Sequence, residues 1–132
     1  MKGLLSMFFA PLDEKTFVLL ILVFIMIVLD IVIGVTLAFK NREFSTARMR
    51  EGLYHKATLI TILFLGWVCD TAMIHVPELG LPQMIMFGCE VLIFLMELAS
   101  IIENLVKMNP DLQDNPVLNY FTSKVDSADK TE

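Results

Sequence analysis

Residues 16 to 39, TFVLLILVFIMIVLDIVIGVTLAF, contain a single charged side chain, Asp30. An α-helix crosses about 30 Å of hydrocarbon in roughly 20 residues, so this run is long enough to span a bilayer. A helix on the surface of a water-soluble bundle keeps a polar face. Residues 17 to 29 offer none. Two further runs share this character. Residues 57 to 74 carry one acid, Asp70, and residues 83 to 106 carry Glu90, Glu97 and Glu103. The chain is 56% hydrophobic, against about 45–50% for an ordinary soluble domain, and the excess is concentrated in these runs. The sequence therefore predicts an all-α integral membrane protein with three transmembrane helices, at 16–39, 57–74 and 83–106.

The lysines and arginines set its expected orientation. The segment 40–56 carries Lys40, Arg42, Arg48, Arg50 and Lys56, and the tail 107–132 carries Lys107, Lys124 and Lys130. Residues 1–15 have only Lys2 and Lys15, and the hairpin 75–82 has neither lysine nor arginine. The positive-inside rule puts the basic loop 40–56 and the C-terminal tail in the cytoplasm, with the N-terminus and hairpin outside. The basic loop then meets anionic lipid headgroups rather than nucleic acid. The net charge of −5 reflects a tail rich in aspartate and proline, which reads as a solvated, partly disordered end with room for a short helix at 117–125. The start, MKGLLSMFFA, is too short an apolar stretch for a cleaved signal peptide. It reads as an interfacial helix or a mobile end.

Chemistry-bearing motifs of enzymes are absent: no phosphate-cradling glycine loop, no His-Glu-x-x-His, no nucleophile elbow. His55 and His75 fall near opposite membrane faces. Cys69 and Cys89 lack a histidine at ligand spacing and read as small packing residues rather than metal ligands. Neither an enzyme nor a cofactor is expected.

What remains unexplained is the acids. A charged carboxylate at mid-bilayer costs about 2.5–3.5 kcal/mol on insertion scales. Asp30 lies ten residues from Lys40, and Glu97 ten from Lys107, which puts both at about 15 Å from the cytoplasmic boundary. Asp70 and Glu90 lie further out. With the spans drawn as above, no lysine or arginine falls inside them, so ion pairing within one chain is not expected. Each acid is then either protonated and hydrogen-bonded to a neighbouring helix, or ionised toward water enclosed by several copies. Asp30, Gly34 and Ala38 share one helical face as a small-residue row that lets backbones approach, and Gly66 sits beside Asp70 on another. Glu90, Glu97 and Asn104 recur every seventh residue, with Ser100 adjacent, as a polar stripe. Lining a lumen and bridging helices are both open to it.

The ordered set Asp30, Gly34, Ala38, Lys40, Phe44-Ser45, Gly52, Lys56, Asp70 and ELASIIENLVKM (residues 97–108) resembles the phage holin family of the toxin secretion and phage lysis type. A Gly-x-Pro turn common there is replaced by MNPDLQDNP, which leaves the tail undetermined. The resemblance implies a homo-oligomer in the bacterial cytoplasmic membrane. Its lesions would let an endolysin, or in relatives a large toxin, leave the cell, with an antiholin as a further partner. The physical reading that fits it is that Asp30, Asp70, Glu90 and Glu97 are buried and neutral when closed and ionise toward water on opening. An antiholin with the same fold and a small selective channel are the competing readings. Some holins start at two methionines, but Met7 reads here as an apolar residue rather than a second start after Met1.

Overall fold

In the computed structural model, which describes residues 2–129, every regular element is helical. Helix α1 (Lys2–Phe8) precedes α2 (Glu14–Lys40), α3 (Thr46–His75) and α4 (Ile85–Met108), and α5 (Pro116–Asp129) ends the described chain. Helices α2, α3 and α4 are each long and apolar enough to cross a membrane. They run up, down and up, with α4 packed closely against both α2 and α3. Met1 and residues 130–132 lie outside the described residues. The Met1 start, Lys130 and the end of the acidic tail therefore carry no structural statement.

The inward positions recur at spacings of three and four. In α3 they are Lys56, Leu59, Leu63, Gly66 and Asp70, and in α4 Met86, Glu90, Ile93, Glu97 and Ile101. That is the seam pattern of helices crossing at a shallow angle. Val23 and Ile27 of α2, Leu59 and Leu63 of α3 and Ile93 of α4 form the shared core. Phe17, Phe24, Val28, Leu29, Phe64 and Leu92 face outward with no protein over them. So large an exposed apolar surface suits hydrocarbon rather than water.

Local signals fix the ends. Asp13 caps α2, accepting the Thr16 N–H at 2.9 Å. At its other end Arg42 adopts a left-handed conformation (φ 53°) and Glu43 N–H returns to Ala38 C=O, a helix-ending geometry usually given to glycine. Phe39 and Phe44 close this turn with ring centroids 4.9 Å apart. The α3–α4 hairpin turns through a short 3₁₀ segment (Pro77–Leu79) and Gly80 at φ 63°. Helix α1 is held to α3 by Trp67, whose indole N–H donates to Phe8 C=O at 2.9 Å, and Phe8, Phe9 and Phe64 surround the indole ring.

Two stretches differ from the sequence expectation. The segment 40–56 is only partly a loop, because α3 starts at Thr46 and its first turns run through residues 46–56. The tail is helical: Asn115 caps α5 by accepting the Val117 N–H at 2.9 Å, and Asn109 opens a 3₁₀ turn before it (Pro110–Asp114). Two asparagine caps, each just ahead of a proline at the first helical position, give the tail a local order that its charge composition obscures.

Candidate functional site

A 30-residue α3 spans about 45 Å, more than the hydrocarbon needs. Its extra turns bring Lys56 into the bundle. Lys56 is 8% exposed, Asp30 9% and Glu97 1%. The Lys56 ammonium lies 2.8 Å from Asp30 Oδ2 and also pairs with Glu97 Oε2. Asn104 Nδ2 donates to Asp30 Oδ1 at 3.3 Å. Each helix thus supplies one charge to a single layer, about 15 Å from the end of the bundle formed by Lys40, Thr46 and Met108. The sequence expectation of no ion pairing within one chain is therefore corrected. Lys56 is a buried bridge between carboxylates, not a headgroup-facing loop residue. The missed signal was its register, three residues before Leu59 and seven before Leu63.

The layer matters energetically because its members cannot be removed one at a time. Breaking a buried pair by deleting one partner typically costs about 3–5 kcal/mol, whereas replacing the whole set by apolar residues is often neutral or stabilising. One cation faces two carboxylates, and the Asn104 amide supplies a further donor to Asp30.

The other acids are held differently. Asp70 reaches across from α3 to the start of α4, accepting the N–H groups of Ile85 and Met86 at 2.8 and 3.0 Å. Met84 at the cap position offers no side-chain bond, so this carboxylate from another helix satisfies donors that hydrocarbon could not. Glu90 is fully buried, and neither of its oxygens has a hydrogen-bond partner among the described residues. Its charged neighbours are Asp13 and Asp70, of the same sign. Glu103 is exposed and pairs with Lys107. Ser100 is half-buried and is not hydrogen-bonded to the layer.

Gly66 and Gly34 have opposite surroundings. A Cβ on Gly66 would sit 3.0 Å from Met86 Cα and 3.3 Å from Cys89 Sγ, so this glycine marks the close crossing of α3 and α4. A Cβ on Gly34 would meet nothing within 4 Å. Gly34 and Ala38 face an open cleft between α2 and α3 rather than another helix of the same chain. Cys69 and Cys89 are unbridged thiols. Lys40 donates to Met108 C=O, joining the ends of α2 and α4, and Arg48 pairs with Glu43 at 2.8 Å. Arg42 and Arg50 are exposed.

These features define a multi-pass membrane protein whose three spans are cross-linked by buried charge. The model of the bacteriophage holin family matches residues 4–114, most of the chain, and the chain belongs to that family. No curated protein and no solved structure matches it. Holins are not enzymes; they open membrane lesions that lead to lysis.

Proposed function

We propose that this chain is the lesion-forming component itself, inserted in the host cytoplasmic membrane with its N-terminus outside and its tail inside. Copies associate, and the lesion lets an endolysin reach the cell wall. The same opening would serve a large secreted toxin, as the sequence resemblance implies. The observation that carries the mechanism is the closed layer of Asp30, Lys56 and Glu97. In the single chain these groups satisfy one another away from water. When copies separate their helices around a lumen, each group exchanges its partner for water, so the buried charge that strains the closed state favours the open one. Polar lining by Asp30, Glu97, Ser100 and Asn104 follows from the same rearrangement. Glu90, which has no partner to lose, gains hydration outright, and Asp70 keeps its capping role at the hairpin.

Co-expression with a cytoplasmic endolysin separates this reading from its rivals. Lysis of the culture supports it. Protection against a second holin would identify an antiholin, and altered ion flux without endolysin release would identify a selective channel.

A further inference from the structure

The cleft between α2 and α3 has a volume of about 540 Å³ and extends to the end of the bundle that carries the basic loop. Gly34, Ala38, Gly52 and Leu53 make its apolar wall, Arg48 and Lys107 stand at its rim, and the Asp30–Lys56 pair closes its inner end. We infer that the cleft is a binding site for one anionic glycerophospholipid, with an acyl chain between α2 and α3 and the headgroup phosphate at Arg48 and Lys107.

Three observations favour this occupant. Both rim cations are already exposed and engaged only in surface pairs, with Glu43 and with Glu103. Such pairs are worth at most about 1 kcal/mol, so a phosphate can take either cation over. Basic pockets between spans on the cytoplasmic side are the usual seats of acidic headgroups. Charge argues against a helix from a second copy. A second copy in the same orientation would bring its own Lys40–Lys56 stretch against Arg48 and Lys107, setting like charges together. The inference rests on membrane insertion with the basic loop on the cytoplasmic side, as proposed above, and not on lesion formation, so loss of lesion formation leaves it standing.

The test is native mass spectrometry of the full chain extracted in mild detergent from vesicles of equal phosphatidylglycerol and phosphatidylcholine. One phosphatidylglycerol should be retained, with at least a tenfold preference over phosphatidylcholine. Arg48→Gln with Lys107→Gln should bring the preference close to parity. Gly34→Leu with Gly52→Leu should lose the retained lipid of either kind while leaving helix content and the midpoint of the lipid-free chain no lower, because a Cβ at either position meets nothing within 4 Å. Equal retention of the two lipids by the unaltered chain would overturn the inference. So would a preference that survives the glutamine pair, lipid retention that survives the leucine pair, or a lipid-free dimer that the leucine pair disrupts.

Discussion

Removing the ammonium of Lys56 leaves two largely buried carboxylates facing each other without a counter-charge. Lys56→Met should therefore destabilise the chain by about 3–5 kcal/mol, read as a lowered unfolding midpoint in detergent micelles. Replacing the layer together, with Asp30→Leu, Lys56→Met and Glu97→Leu, should restore or raise the midpoint. A triple variant as weak as the single one would show that the layer is not the unit described here. Asp70 has a different task. Asp70→Ala exposes the Ile85 and Met86 N–H groups and should cost about 1–2 kcal/mol, with faster amide exchange confined to the first turn of α4. Unchanged exchange there would remove its role as a cap. At this scale the acids stood out in the sequence, since a carboxylate among leucines and isoleucines needs a reason. Their partner did not. Lys56 sits at the boundary between a basic stretch and an apolar run, and a boundary drawn by hydropathy assigns it to the water side. The 56, 59, 63, 66, 70 spacing places it inside, but only once α3 is known to start ten residues earlier.

Helix ends and crossings follow chemistry that hydropathy does not weigh. The three apolar runs were legible as helices because length and composition suffice for that. The true start of α3 was not, because residues 46–55 are exposed on every face and only Lys56 packs inward. The order of the tail was legible only as room for a helix at 117–125, because two capping asparagines act locally and hardly change composition. Where α3 and α4 cross, Gly66→Leu must displace the Met86 backbone and should cost about 1–3 kcal/mol as overpacking, again measurable as a fall in midpoint. In the lipid-free chain, Gly34→Leu, whose Cβ meets nothing within 4 Å, should leave the midpoint no lower, and the contrast between the two glycines is the check. The start of α2 carries a pH dependence. Hydrogen bonds from the Thr16 hydroxyl and backbone N–H hold the Asp13 carboxyl below its ordinary value. A folded value below the unfolded one means the cap contributes fully above the unfolded value, about 3.9, and is lost as pH falls through the folded one. Acidification should thus speed amide exchange at Thr16 in the native chain relative to Asp13→Asn, which caps without titrating. Parallel pH profiles would exclude the effect.

Along the three spans, apolar side chains cover the outside and the charged groups Asp30, Lys56, Asp70, Glu90 and Glu97 lie inside, the reverse of a soluble bundle. The resting chain is complete by itself: its spans share a core, its layer is paired, and its hairpin is capped. What is held in reserve is Glu90 and the paired layer, groups that hydrocarbon tolerates only while helices enclose them. Family membership supplies the outcome, a lesion, and the buried layer supplies a physical route to it. The direct measurement is timed lysis of cells making a cytoplasmic endolysin together with the Asp30→Leu, Lys56→Met, Glu97→Leu chain, at matched amounts in the membrane. This chain should insert and stay folded yet fail to lyse the culture, or do so only after a several-fold delay. Lysis at the unaltered time would contradict the claim that exposure of these charges to water drives the opening.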